Sequence, residues 1–532
     1  MKAALIGINS RFIHKSLSIH SLYSAVKDLG VDFTMEEFSI NEPMDRVFHV
    51  LYGGHYDVMA FSVYLWNKDY VIRLARTLRQ VSPGLVLVVG GPDVTPEYEA
   101  LDLFDYVVLG EGEEVLRHLT QERFRGGASL RFSLYPVDLE GLPFPYEGSL
   151  ETLENKIVYY EGSRGCPFHC SYCLSGRDNH LRLKSKGKIL AEIHRLVDAG
   201  VKQVKFIDRT FNANPDWALD IVDGLMVHGG KGCNFHFEVS IDKMDPRILA
   251  LLETAPVGLF QLEIGVQSTH QPTLDAVHRH NDFKKIRQGV ERLLQGDNIH
   301  LHTDLIVGLP YEDLTALRRS FNEIIGLKAH MLQVGFLKVI PNTEMRERAE
   351  ELGLTYREYP PYEILSSPWI SVDEMRQIKG VEEATEGIFN RLNFRQTFLY
   401  LLDHCNDPFE LCMNLGLALL ELQNPLSLKG KYAFLLERIP QYLPSIDKVM
   451  LEGALRLDWH LTAGDLRPPS FLRKDTGDRS HVRVVEFPFR FEMSSGVMTL
   501  LEKKIGYYVF DHRTKVGLQG YPLVLPQPDI GN

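Results

Sequence analysis

Short apolar runs recur along the first 110 positions, at residues 3–8, 58–63, 85–89 and 106–109. Each is long enough for one buried strand and too short for a helix. Between them, residues 16–29 and 67–80 place apolar side chains three and four apart, as in a helix with one buried face. Strands alternating with helices predict a parallel, doubly wound sheet, because each helical crossover starts the next strand in the same direction. Ligands of such sheets sit beyond the carboxyl ends of the strands. Two of those ends carry Gly90-Gly91-Pro92 and Gly110-Glu111-Gly112-Glu113. Glycine lets a backbone approach a bulky ligand, but it also punctuates ordinary turns, so these turns alone do not separate a site from a connection.

Farther along, residues 124–150 are rich in Gly, Pro and aromatic residues, and their second half, 136–150, reads as a linker. Six more strand-like runs follow at 157–161, 203–207, 235–240, 261–265, 300–307 and 332–338. Helical stretches such as 188–199, 215–227 and 314–327 separate most of them. Six such repeats predict a partial (β/α)6 barrel with its working groups at the carboxyl ends of the strands. Helical patterns at 372–390 and 410–422, then strand-like runs at 482–491, 497–501 and 507–510, predict an α+β region at the end. The expected division is 1–135, linker 136–150, 151–350 and 351–532, an α/β chain throughout its first two domains.

Length and charge narrow the function classes. A chain of 532 residues has room for about three cores. Its net charge of −12 argues against a nonspecific nucleic-acid surface, which needs clustered Lys and Arg. The locally basic stretch 177–188 reads as the flank of an anionic cofactor or as a solvated approach to a helix. The first residues, Met1-Lys-Ala-Ala-Leu-Ile, form too short an apolar run for a secretory signal and fit a buried strand. No run approaches the roughly 20 apolar residues needed to span a bilayer. A cytoplasmic protein with a small-molecule substrate, and with neither membrane nor nucleic acid as partner, is expected.

The chemistry is announced by Cys166, Cys170 and Cys173, a C-x3-C-x2-C run directly after the strand at 157–161. Cys thiolates are the usual ligands of iron–sulfur clusters, and three of them hold a [4Fe–4S] cluster with one iron left open. A structural zinc site would need a fourth ligand, for which His169 or His180 is the nearest candidate. Disulfides do not suit six scattered cysteines in a chain without a secretory signal. Cys233, Cys405 and Cys412 have no paired spacing and read as core residues.

This spacing resembles the signature of the radical S-adenosylmethionine (SAM) enzymes. Further pieces match that family in order and place: Phe206-Ile-Asp208-Arg-Thr-Phe-Asn212, Glu263-Ile-Gly-Val-Gln267-Ser268, Asp304-Leu-Ile-Val-Gly308-Leu-Pro310 and Pro341-Asn-Thr343-Glu344. The resemblance implies that SAM chelates the open iron and is split to methionine and a 5′-deoxyadenosyl radical. It places Glu263 and Gln267 against SAM with Asp208 and Ser240 nearby, and Phe168 and Tyr172 as shields of the cluster or adenine. Asp208 could instead cap the segment after it, and Glu263 could be a structural hydrogen-bonding group. Arg164 reads as the partner of a carboxylate or as a cofactor contact.

Asp57-Val-Met-Ala-Phe-Ser-Val-Tyr64, Val89-Gly-Gly-Pro92 and Asp105-Tyr-Val-Val-Leu-Gly-Glu-Gly-Glu-Glu114 resemble the cobalamin-binding domain fused to many radical SAM enzymes. By that resemblance Ser62, Val63, Tyr64, Gly90, Gly91, Gly110, Glu111 and Gly112 line a groove for cobalamin. The Asp-x-His-x-x-Gly motif that supplies a lower histidine ligand is absent from residues 1–135. Cobalamin is then bound without that histidine, or the domain has lost it altogether. The last third resembles an uncharacterised appendage of cobalamin-type radical SAM proteins.

Together these resemblances imply a cobalamin-dependent radical SAM methyltransferase acting on an unactivated carbon, with an electron donor such as flavodoxin or ferredoxin. The rivals are radical rearrangement or oxidation without methyl transfer, and a cobalamin- or SAM-sensing protein. A methylthiotransferase would need a second cysteine triad in the first 150 residues, where there is no cysteine. Replacing Cys166, Cys170 and Cys173 together by Ala is expected to abolish iron binding, read by iron and sulfide analysis after anaerobic reconstitution. A full cluster in the triple variant would refute this ligand set.

Overall fold

Strand β1 (Lys2–Asn9) is buried from Ala3 to Ile8, and its side chains divide by parity between two cores. Ala4, Ile6 and Ile8 pack with Val47, Leu51, Val71 and Leu74 on one face, whereas Ala3 and Leu5 pack with Ile19, Val26, Leu116 and Leu119 on the other. The helices Met44–Gly53 and Lys68–Val81 therefore cover one face of the sheet, and Leu17–Val26 and Gly112–Gln121 cover the other. The computed structural model describes residues 1–125, 130–132, 136–177, 180–463, 468–472, 475–479 and 482–526.

The remaining strands are β2 (Asp32–Ser39), β3 (Val58–Ser62), β4 (Val86–Gly90), β5 (Tyr106–Leu109) and β6 (Leu130–Phe132). All pair in parallel in the order β2-β1-β3-β4-β5-β6. Sequence patterning identified β1, β3, β4 and β5 but neither edge. Strand β2 carries Asp32, Glu36 and Glu37 and is mostly half-buried, so it lacks the apolar run that marks a central strand. The order reverses between β1 and β3, and such a switch point opens a crevice at the carboxyl ends of those two strands.

The chain forms two compact units, Met1–Glu238 with Lys338–Ile364, and Val239–Leu337 with Leu365–Asn532. The first contains the N-terminal sheet and a parallel triplet: Ile157–Tyr160, Gln203–Phe206 and Asn234–Val239, the last ending at the unit boundary. Tyr146 ties the intervening segment to this triplet by donating to Tyr159 O at 2.7 Å. The backbone of Ile157 donates to Ile13 O at 3.3 Å, so the loop after β1 lies against the first strand of the triplet. The returning segment Lys338–Ile364 is anchored by Tyr362, whose hydroxyl accepts from Lys68 Nζ at 2.7 Å.

The second unit contains the parallel triplet Phe260–Gln267, His300–Val307 and Met331–Phe336. In chain order the two triplets and their helices give the six β/α repeats expected. Helices Val372–Ala384 and Pro408–Leu420 cross at Gly380 and Gly416, where a Cβ on Gly416 would lie 1.7 Å from Gly380 O. The first was expected to run to residue 390, but it changes to a π-turn over Thr385–Phe389. Helices Arg395–His404, Leu428–Tyr442 and Lys448–Thr462 were not recognised, because their apolar positions are not confined to one narrow stripe. Antiparallel strands Asp475–Arg479, Val482–Phe487, Gly506–Val516 and Tyr521–Pro526 form the last sheet, beside the hairpin Arg490–Ser494/Val497–Glu502. No helix among the described residues is long and apolar enough to cross a membrane.

Two stability outcomes follow. Gly416→Ala should destabilise the protein by about 1–3 kcal/mol, since a methyl group there must push two backbones apart; thermal denaturation that is unchanged would contradict the close crossing. Glu312 is fully buried and accepts from Ser268 and Ser320, and burial pushes its carboxyl up to about 7. The native state thus holds this proton more tightly than the unfolded chain, so the contribution is intact below about pH 4.5 and is lost as pH rises to about 7. The loss amounts to ~3 kcal/mol at 1.36 kcal/mol per unit. The melting temperature of Glu312→Gln relative to wild type should therefore be higher at pH 8 than at pH 5, and an equal difference at both would refute the assignment.

Candidate cofactor sites

The cysteine loop leaves the strand Ile157–Tyr160 and is folded back on itself by short hydrogen bonds. Cys173 N donates to Cys170 O at 3.0 Å and Gly176 N donates to Cys173 O at 3.1 Å. A Cβ on Gly176 would stand 2.7 Å from Cys170 O, so this tight turn requires glycine. Gly165, at φ +90°, reverses the chain immediately before Cys166. Cys166 and Cys170 are buried and Cys173 half-buried. Burial pushes the Cys166 thiol up, and the neighbouring Cys173 and Cys170 add to it, against hydrogen bonds from Phe168 N–H and Thr210. Thr210 Oγ1 lies 3.7 Å from Cys166 Sγ.

Asp208 supports this loop from beneath. It is fully buried and accepts from Ser163 Oγ at 2.5 Å and Gly162 N at 3.0 Å. Burial raises its carboxyl to about 7. Its carboxylate is thus occupied with the residues that precede the cysteines. Phe168 and Tyr172 lie on the loop itself, both half-buried. The Pro341–Glu344 turn touches the same loop: Met345 N donates to Ser171 O at 2.8 Å, while Thr343 caps the helix Glu344–Glu347.

A cavity of about 510 Å³ opens over the carboxyl ends of β3, β4 and β5. Ser62, Tyr64, Gly90, Gly91, Gly110, Glu111 and Gly112 all line it, together with Glu161 and Arg164. Val63 takes part differently. Its side chain is buried in the sheet core, and only its backbone borders Gly91. Gly91 has φ +125°, and a Cβ there would lie 2.3 Å from Val63 O. No other residue fits at that turn without moving the backbone.

One arginine joins the loop to the floor of this cavity. Arg164 donates to Glu161 at 2.8 Å and to Glu113 at 2.7 Å, and lies 3.3 Å from Glu111. Arg182 also grips Glu111 through both guanidinium nitrogens and donates to Val137 O at 3.0 Å. Burial opposes the charge on Arg164, yet Glu161 and Glu113 hold its pKa well above the ordinary value. Burial alone would raise Glu111, but Arg182, the Val137 N–H and Arg164 keep it below the usual carboxylate range. Removing one partner from a buried ion pair costs about 3–5 kcal/mol, because the other charge is left without compensation. Glu113 and Arg182 escaped sequence reasoning; Arg164 and Glu113 are 51 positions apart, and no local pattern pairs residues at that separation.

A second cavity, about 440 Å³, adjoins the first. Leu17, Tyr64, Pro92, Leu174, Ile207 and Arg209 border both. Leu65, Trp66 and Ile340 extend its apolar wall, and Tyr64 and Trp66 stack at 4.4 Å. His14, Tyr159, Lys205 and Glu238 supply polar groups. His14 Nδ1 and the Tyr159 hydroxyl are 2.9 Å apart, and burial, then Arg11 and Lys205, lowers the histidine pKa.

Ser240, Glu263 and Gln267 belong to the other unit. Ser240 is half-buried at the end of Asn234–Val239. Glu263 stands in register with His302, and their ligand atoms lie with that of Asp304 within 4.8 Å of one another. Gln267 takes a left-handed conformation at φ +70° beside a register shift, and its side chain turns back over Gly265.

The donor set fits the expected groups. Three thiols lie within eight residues of one loop, and metal binding would stabilise the Cys166 thiolate that burial disfavours. The Gly91 turn clears backbone for a flat, bulky ligand over the sheet edge. Among residues 1–125, His14 is engaged with Tyr159 and His20 is buried beside Glu37 and Tyr146, so neither supplies the familiar lower ligand motif.

Comparison with known proteins agrees. The B12 binding domain model matches residues 3–120, the radical SAM superfamily model residues 160–324, and a protein of unknown function model, DUF4080, residues 350–489. A 2-(S-pantetheinyl)-carbapenam-3-carboxylate methyltransferase of Streptantibioticus cattleyicolor is 26% identical over 62% of this chain and 53% of its own length. The hopanoid C-2 methylase of Rhodopseudomonas palustris is 25% identical over 51% of this chain and 53% of its own. An anaerobic magnesium-protoporphyrin IX monomethyl ester cyclase of Rubrivivax gelatinosus is 24% identical over 49% and 52%. The chain thus spans about half the length of the curated relatives it matches. In fold it is similar to the methyltransferase TsrM of Kitasatospora setae, solved with cobalamin and a [4Fe–4S] cluster, at 16% identity and a TM-score of 0.54 over 68% of this chain and 78% of that one. The fold is also similar to the cobalamin-dependent enzyme OxsB, at 15% identity and a TM-score of 0.57 over 87% and 73%. The chain thus carries a B12-binding domain, a radical SAM domain and a DUF4080 region, in that order.

Proposed function

We propose that this protein is a cobalamin-dependent radical SAM enzyme that transfers a methyl group to an unactivated carbon of a small molecule. The observation that carries the proposal is the pair of adjoining cavities with six residues in common, the larger lined by the glycine turns and by Glu161 and Arg164, and both bordered by Leu174 at the end of the cysteine loop. When bound, the cluster with SAM supplies a 5′-deoxyadenosyl radical and cobalamin supplies a methyl carrier. Cys166, Cys170 and Cys173 hold iron, and Thr210 hydrogen-bonds the first sulfur. Ser62, Tyr64, Gly90, Gly91, Gly110 and Gly112 line the cobalamin groove, Val63 through its backbone and Glu111 through its grip on Arg182. Phe168 and Tyr172 shield the cluster or the adenine of SAM. Asp208 acts on SAM through the loop it supports, while Ser240, Glu263 and Gln267 are assigned to SAM directly.

The smaller cavity, of ordinary small-molecule size, receives the substrate. Its apolar wall excludes water from a radical, and the neutral His14–Tyr159 pair can pass a proton between Nδ1 and the phenol oxygen. A cytoplasmic location, an electron donor such as flavodoxin or ferredoxin, and the division at 135, 150 and 350 belong to the same proposal. The similarity to a cyclase favours a second reading, ring chemistry without methyl transfer.

Anaerobic reconstitution with iron, sulfide and hydroxocobalamin tests the first reading. Stoichiometric cobalt retained with the cluster, and S-adenosylhomocysteine formed alongside deoxyadenosine during turnover, are expected. Loss of cobalt on desalting would overturn cobalamin dependence; retained cobalt with deoxyadenosine alone would transfer the assignment to the second reading.

A further inference from the structure

The Arg164 node is more elaborate than loop anchoring requires. Ser163–Arg164 already pairs with Arg182–Leu183 in a short antiparallel bridge, and Lys184 N donates to Gly162 O at 2.9 Å. Asp208 holds the same loop from below. The ionic contacts do something these bonds do not: they reach across to Glu111, on the turn that follows β5, and to Glu113, in the first turn of the helix Gly112–Gln121, both of which line the larger cavity. Arg164 stands two positions before Cys166, while Glu111 lies between Gly110 and Gly112. One guanidinium is therefore shared by the metal-binding loop and the glycine turn.

We propose that Arg164 is a positioning residue that couples the two cofactor sites, so that assembling the cluster tightens cobalamin binding and bound cobalamin stabilises the cluster loop. This rests on the reading that the larger cavity takes cobalamin. Metal ligation draws Cys166, Cys170 and Cys173 together and fixes the residues just before them. Arg164 then holds Glu113 and Glu111 in place, and with them the glycine turn that lines the groove. Without metal that added restraint on the loop, and through Arg164 on the glycine turn, is absent. Coupling between binding sites is reciprocal, so each ligand must strengthen the other by the same factor.

The test measures hydroxocobalamin affinity, by visible titration, for wild type and Arg164→Gln, each with its cluster assembled and after chelation. The expected result is an affinity about 5-fold to 150-fold tighter in the cluster-loaded wild type, with that ratio reduced to near unity in the variant. A merely structural loss would weaken both states of the variant and leave the ratio intact. Equal ratios in the two proteins, or a wild-type ratio of one, would overturn the coupling while leaving cobalamin binding in place. Wild type that binds no cobalamin in either state would overturn the proposed function and the coupling together. Should Arg164→Gln fail to fold, Glu113→Gln keeps Arg164 paired with Glu161 and is expected to lower the ratio partway; an unchanged ratio there counts against the coupling.

Discussion

The geometry of this protein's working half depends on one half-buried cation. Arg164 sits among three carboxylates and is itself only 19% exposed. An arginine suits the post because its planar fork addresses several oxygens at once and stays charged when desolvated. Such an arrangement is a poor source of net stability, since two hydrophobic residues could do as well. Its value lies in geometry. Charged groups this close tolerate little displacement, and the two segments they join are those that carry the cysteines and the glycine turn.

From that constraint the rest of the site follows. The switch between β1 and β3 places Ser62 to Tyr64 at a crevice, and the Gly90-Gly91 turn borders it from β4. The loop after β1 brings His14 to Tyr159, the last-but-one residue of the strand that leads into the cysteine loop. The returning segment supplies Ile340 to the smaller cavity and Asn342 to the larger, held by Lys68, Asp93 and Tyr362. Many separated stretches of sequence thus contribute to two adjoining cavities, and none could form either alone.

Much of this was legible in the chain. Central strands announce themselves by continuous burial, which is why β1, β3, β4 and β5 were found and the acidic edge β2 was not. The cysteine triad was legible because three ligands within eight residues need no knowledge of the fold. The glycine turns could be placed at strand ends, yet only the closeness of Val63 O, 2.3 Å from where a Cβ on Gly91 would lie, distinguishes a backbone cradle from a plain turn. Glu111 was expected to face the groove, and it does line the cavity, but its oxygens are committed to Arg182 and Arg164. Asp208 illustrates the opposite limit. A carboxylate at the end of a strand reads alike whether it meets a ligand or a neighbouring loop, and only burial with named donors separates the cases. Arg164 had a carboxylate partner among its readings; which carboxylates, and that they lie on the glycine turn, needed the fold.

The central claim is that the metal-binding loop and the glycine-lined groove are parts of a single site. Electron paramagnetic resonance on protein loaded with cob(II)alamin and the singly reduced cluster tests it most directly. Mutual spin–spin broadening of the two signals, absent when either is loaded alone, is the result predicted. A spectrum equal to the sum of the separate signals would place the two groups too far apart to serve one substrate, and would contradict the account.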